Sequence, residues 1–174
     1  MDKKFGSLRE YQERLLARIN AQRSTSPATS FLALEIGGEP WVVGLADLSE
    51  VMPVPPLTPV PNTRPWFAGI ANIRGRLYGV ADLAAFMGQE PLEAGTESRL
   101  VLVHPKHRIN AGFLVTRSLG LRNLQSAPVA ATSASEWTAG EYREDAGRVW
   151  KELSVRRLVA LPAFLEIAGQ LAAA

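Results

Sequence analysis

From Phe31 onward the apolar residues come in short runs separated by turn residues. The runs are Phe31 to Ile36, Trp41 to Leu45, Phe67 to Ile73, Leu77 to Val80, Leu100 to His104, Gly112 to Val115 and Leu119 to Leu124. Runs of this length bounded by turn residues read as strands. Gly37-Gly38 predicts a tight hairpin, because both central positions of a type I′ turn need positive φ, and Arg74-Gly75-Arg76 marks a second turn. Pro105 to Asn110 joins two more runs as a hairpin loop. Many short strands with helix mainly at the chain's ends predict a mainly β fold of small barrels or a sandwich, and argue against a βαβ sheet.

The remaining segments fit around that frame. Six prolines lie between Val51 and Trp66, so this stretch donates few ladder hydrogen bonds and reads as a connector or an edge strand. Val51, Val54, Leu57 and Val60 alternate with those prolines, which favours one face packed on the body over a free polyproline ligand for an SH3-like groove. Ser7-Leu8-Arg9-Glu10 is a capping box, and Leu8, Tyr11, Leu15 and Ile19 then follow at helical spacing, so residues 1–23 are expected to hold an amphipathic helix. Residues 24–30 read as a linker and 31–174 as the folded body. Leu83 to Met87 predicts a helical turn stopped by Gly88, and Gln89 to Ser98 a polar loop. Ala127 to Gly140 reads as loop, Glu141 to Gly147 as turn, Arg148 to Val159 as a strand running into a helix start, and Leu161 to Leu171 as a closing helix.

Composition narrows the function classes. Hydrophobic residues make up 47% and charged residues 21%, ordinary values for a globular domain. The chain has no cysteine, hence no disulfide, thiolate nucleophile or zinc knuckle. A net charge of +2 with acids and bases interspersed gives little long-range attraction to nucleic acid. No window approaches the ~18 apolar residues of a membrane span, the N-terminus lacks a signal-like apolar stretch, and Glu10 and Glu13 would oppose an anionic surface. A cytoplasmic protein without direct membrane insertion is expected.

No constellation carries catalysis well. His104 and His107 are the only histidines and lack the further ligands that zinc needs. Gly69 and Gly75 are followed by Arg76 where a phosphate loop would have Lys-Ser/Thr. No Gly-x-Ser-x-Gly elbow occurs. Asp82, after an apolar strand, could serve a small β-barrel enzyme, but a strand-to-helix cap accounts for it equally. Neither a metal nor a cofactor is implied. Glu50 and Arg74, each beside an apolar strand, would as an exposed pair contribute only ~0–1 kcal/mol.

These last residues sit in a longer pattern. Trp66-Phe67-Ala68-Gly69-Ile70-Ala71-Asn72-Ile73-Arg74-Gly75-Arg76-Leu77-Tyr78-Gly79-Val80-Ala81-Asp82-Leu83 resembles the signature of CheW-like domains, with Leu48-Ser49-Glu50-Val51 before it and Gly112-Phe113-Leu114-Val115 after it in family order. Thr58-Pro59-Val60-Pro61 ahead of Arg64-Pro65-Trp66 is similar to the pilus-type branch of that family. The resemblance implies two small five-stranded SH3-like β-barrel subdomains, with strand exchange between them allowed. It implies a non-catalytic adaptor of a chemosensory array that controls type IV pilus twitching. Its partners would be the regulatory domain of a CheA-type histidine kinase, itself CheW-like, and the cytoplasmic hairpin tip of a chemoreceptor, at membrane-associated arrays. Leu48, Glu50, Gly69, Asn72, Arg74 and Gly75 match the family's partner-binding positions. Gly79, where the family usually has proline, and Thr116 and Ser118, where it has aspartate and valine, depart from the pattern.

Overall fold

The computed structural model of the 174-residue chain describes residues 29–124, 135–144 and 147–169. The expected helix over residues 1–23, and the linker as far as residue 28, lie outside the described residues. Ten strands form two five-stranded sheets. The first has the order β8-β1-β2-β10-β9, built from β1 (Thr29–Ile36), β2 (Glu39–Gly44), β8 (Arg117–Leu124), β9 (Thr138–Arg143) and β10 (Val149–Leu153). The second has the order β3-β6-β7-β5-β4, from β3 (Leu48–Pro53), β4 (Phe67–Ile73), β5 (Arg76–Asp82), β6 (Arg99–Val103) and β7 (Ala111–Val115). Sequence from both ends of the chain thus makes one sheet, and its middle makes the other. Two pairings make the join, β1 antiparallel with β8 and β2 parallel with β10.

Short strands suffice because several are buried on both faces. In β6, Leu100 and Leu102 enter a core enclosed by the second sheet, while Val101 and Val103 point into a core shared between the sheets. β1 does the same, with Phe31 and Ala33 against Tyr142 and Trp150, and Leu32, Leu34 and Ile36 in the shared core. Fully burying one such side chain stabilises the fold by about 1.5–3 kcal/mol. The period-2 pleat therefore feeds three cores from two sheets.

Each sheet curls enough for a contact to run between its two edges. In the second, Thr58, beyond β3, exchanges two backbone hydrogen bonds with Ile70 of β4, at 2.8 and 2.9 Å. In the first, Arg122 Nε of β8 lies 3.8 Å from Glu144 Oε1, just past β9. The Thr58–Ile70 bonds pair backbone that an open edge would leave to solvent.

Among the described residues the α-helices are single turns: α1 (Leu83–Phe86), α2 (Val155–Leu158) and α3 (Pro162–Leu165). Two expectations are corrected. Residues 138–143 are strand β9 and not loop and turn, because Thr138, Gly140 and Tyr142 alternate inward and Tyr142 packs on Phe31 at 5.0 Å between ring centroids. The closing helix is only α3. From Glu166 the chain runs extended beside residues 62–64, with Arg64 N–H donating to Ile167 O and Gly169 N–H to Asn62 O, both at 2.8 Å. The Pro-rich stretch supplies edge strand β3 and then a connector, with Val54 and Leu57 packed on the second sheet's core and Val51 exposed.

Candidate partner-binding surface

The β4–β5 hairpin turns on Arg74 and Gly75, with φ of 52° and 80°. These values give a two-residue turn, within the Arg74-Gly75-Arg76 stretch that the sequence marks as a turn. Asn72 Oδ1 accepts from Gly75 N–H at 3.0 Å and so holds the turn. Glycine tolerates this conformation, but an arginine in it is strained. The turn sets Arg74 76% exposed at the hairpin tip, where Nη2 donates to Glu50 Oε1 at 2.7 Å.

Glu50 reaches that position because of a β-bulge. The β3–β6 register shifts between Leu48 and Glu50, leaving Ser49 unpaired. One extra residue reverses the alternation, so Leu48 enters the shared core while Met52, two residues past Glu50, packs on the second sheet's own core. A matching bulge in β4, between Phe67 and Gly69, moves the chain from one core to the other.

Of the six sequence-predicted positions, the structure brings Glu50, Asn72, Arg74 and Gly75 together at the hairpin end. Leu48 and Gly69 are buried. Gly69 has φ of 131°, and a Cβ there would run into the Thr58 carbonyl. Its glycine is required by the close crossing of the Pro-rich connector over β4.

The other candidates resolve into structural roles. Asp82 is buried and caps α1: Oδ1 accepts from Ala84 N–H (2.9 Å) and Ala85 N–H (3.2 Å), and Oδ2 from Leu92 N–H (2.6 Å). A carboxylate holding three backbone donors is poorly placed to act as a general base. His104 Nδ1 accepts from Lys106 N–H, and His107 Nε2 lies 3.0 Å from Asp47 Oδ1. Thr116 and Ser118 lie against β1: Thr116 N–H donates to Glu35 O, and Ser118 pairs with Leu34.

Sequence reasoning missed a polar knot where the chain crosses from the first sheet to the second. Asp47 Oδ1 receives Lys106 Nζ at 2.6 Å as well as His107, and its backbone carbonyl accepts from His104 N–H. Burial raises the Asp47 carboxyl, but the hydrogen bonds and charges of Lys106 and His107 outweigh it and hold the group below its ordinary value. Nearby, burial lifts Glu152 above its ordinary value, with the Asp47 charge adding to the effect and the Tyr142 hydroxyl and Arg157 opposing it. Burial, and then Glu152, pushes the Tyr142 hydroxyl up to about 12. Asp47 and the Lys106-His107 pair stand too far apart in the chain to share a motif, so only the fold could reveal this knot.

Comparison with known proteins settles the family. The CheW-like domain family model matches residues 30–162, most of the chain. The chain belongs to the CheW-like domain family. This CheW-like chain is 27% identical to Protein PilI of Pseudomonas aeruginosa over 89% of each protein, so it stands close to PilI along nearly its whole length. It is 29% identical to Chemotaxis protein CheW of Thermotoga maritima over 60% of this chain and 68% of that one. The crystal structure of scaffolding protein TtCheW from Thermoanaerobacter tengcongensis shares the fold, with a TM-score of 0.65 at 19% identity over 78% of this chain and 95% of that one. The two-sheet architecture is that of a CheW fold.

Proposed function

We propose that this CheW-like protein is a non-catalytic scaffold coupling the cytoplasmic tips of chemoreceptors to the regulatory domain of a CheA-type histidine kinase, in an array that controls type IV pilus twitching. The observation that carries the reading is the similarity to PilI across 89% of both proteins. The pilus output rests on that relative's name alone. The word scaffolding in the name of the TtCheW neighbour points the same way. Each sheet, with its edges drawn together and its own enclosed core, is taken as an SH3-like barrel, and residues 31–174 as one two-barrel unit with strands exchanged between the halves.

Within that unit, Glu50, Asn72, Arg74 and Gly75 are taken as the contact surface, and Leu48 and Gly69 as positions that shape it from beneath. The saturated carboxylate of Asp82 speaks against the enzyme reading. The packing of Val54 and Leu57, with Thr58 bridged to Ile70, speaks against a free proline ligand. No helix among the described residues is long and apolar enough to cross a membrane, and a cytoplasmic place at receptor arrays is proposed with the scaffold role.

The test is titration of purified protein into a CheA-type regulatory domain, with Arg74→His and Glu50→Ala alongside, and twitching assays of the same variants. Weakened coupling with unchanged circular dichroism is expected. Binding and motility equal to wild type in both variants would remove the site assignment, and no binding by the wild type would remove the scaffold reading.

A further inference from the structure

The chain enters the folded body beside an open groove at the crossover between the sheets. The single 3-10 turn Leu45–Asp47, which joins β2 to β3, buries none of its residues, and Leu45 stands 40% exposed on it. The groove there measures about 630 Å³, and its lining includes Ser30, Leu45, Ala46, Asp47, Lys106 and Glu152. That equals the liquid volume of about twenty waters, room for several aliphatic side chains.

Two carboxylates face one ammonium in this lining. Lys106 is committed to Asp47 Oδ1, which His107 also meets, whereas Asp47 Oδ2 and Glu152 Oε1 accept no hydrogen bond among the described residues. Burial, and then the Asp47 charge, disfavours the ionised form of Glu152 more than the Tyr142 hydroxyl and Arg157 favour it. A further cation brought to the two open oxygens offsets that penalty. The groove is thus an apolar surface with a cation-seeking end.

We propose that this groove docks the chain's own N-terminal segment, with the stripe Leu8, Tyr11, Leu15 and Ile19 on Leu45 and Ala46 and with Arg18 toward Glu152. At helical spacing those four apolar positions share one face, Arg18 and Arg23 flank it on either side, and Glu10 and Glu13 fall on the far side. The segment therefore offers what the groove lacks, an apolar face bordered by guanidinium groups. Connectivity favours it as well: Ser30 is part of the lining and stands eleven residues beyond Ile19, a reach of up to about 36 Å. A tether of that length holds the segment at an effective concentration of order millimolar, an advantage that a separate partner of the same chemistry does not have. The apolar cleft beside Trp66, Phe67, Leu77 and Leu165 suits the segment less, because its lining holds no charged residue to meet Arg18. The inference is independent of the kinase and receptor reading.

Because the chain has no cysteine, introduced pairs report the docking directly. Full-length protein carrying Leu15→Cys with Leu45→Cys is oxidised in dilute solution beside a reference pair, Leu15→Cys with Leu77→Cys, each rate being normalised to the labelling rate of the single cysteines. Leu45 and Leu77 are both exposed, so neither change empties a core, and circular dichroism checks the fold. The intramolecular disulfide forms at least about tenfold faster in the first pair than in the reference, and Arg18→Glu slows it by about threefold or more. In the cysteine-free chain, Leu15→Asp speeds hydrogen exchange at the Leu45 and Ala46 amides. Equal rates in the two pairs, a rate indifferent to Arg18→Glu, or exchange unchanged by Leu15→Asp overturns the proposal. A cross-link that joins two chains, its rate rising with protein concentration, overturns it in favour of a second copy.

Discussion

Arg74 Nη2 and Glu50 Oε1 meet at 2.7 Å although their strands, β4–β5 and β3, approach from opposite edges of one sheet. The contact exists because the sheet curls, because a bulge at Ser49 re-aims Glu50, and because a left-handed turn lifts Arg74. With Arg74 76% exposed, solvent screens the pair, and its effect on stability is small. Arg74→Ala should therefore shift the urea midpoint by an amount equivalent to at most about 1 kcal/mol, while binding to the kinase regulatory domain weakens by a larger factor. A stability loss that matches or exceeds the binding loss would make the pair a structural clamp.

Gly69→Ala acts differently. The substitution forces a side chain at φ of 131° against the Thr58 carbonyl, so it should cost about 2 kcal/mol or more and loosen the Pro-rich connector. Faster hydrogen exchange at the Thr58 and Ile70 amides would locate the damage. A variant as stable as wild type would show that Gly69 is not required for the crossing.

Asp82→Ala removes the acceptor of three buried or half-buried backbone N–H groups. A loss of about 2–4 kcal/mol is expected, larger than for a simple helix cap, with Asp82→Asn milder because it keeps one acceptor oxygen. Urea unfolding with a lowered midpoint and unchanged slope is the check.

The polar knot gives a pH signature with two opposing limbs. Glu152 carries a raised folded value, so the folded state holds that proton more tightly than the unfolded chain, whose ordinary value is 4.5. Its contribution is present below that ordinary value and is lost as pH rises through the raised one. Asp47 is depressed from 3.8, so its contribution is present above that value and lost as pH falls further. Stability should peak in mildly acid solution, and Glu152→Gln should flatten the neutral-side decline while leaving the acid limb. Thermal unfolding from pH 3 to pH 8, a span of about five units around these carboxyl values, measures both; an unchanged neutral limb in the variant would clear Glu152 of the effect.

Local pattern made much of the molecule legible. Short apolar runs marked strands, Gly37-Gly38 and Arg74-Gly75 marked hairpins, and the residues from Trp66 to Leu83 marked the family, because turn chemistry and strand alternation act between neighbours. Strand β9 has no apolar run to mark it: Thr138, Gly140 and Tyr142 are buried only in the fold, with Tyr142 against Phe31 and Trp150. The closing helix stops at Leu165, where the last described residues turn to hydrogen bonds with residues 62–64 that local sequence does not announce.

Sequence by itself determined most element types, with β9 and the extent of the closing helix excepted, together with the turns and the candidate residues. Tertiary structure alone decided that β2 pairs in parallel with β10, that Asp47 gathers Lys106 and His107, and that Glu50 faces Arg74. It also decided that Leu77 and Leu165 share an open cleft. Such contacts join residues far apart in the chain, and they form only where folding repays the entropy of closing those loops through burial in cores that no single segment contains.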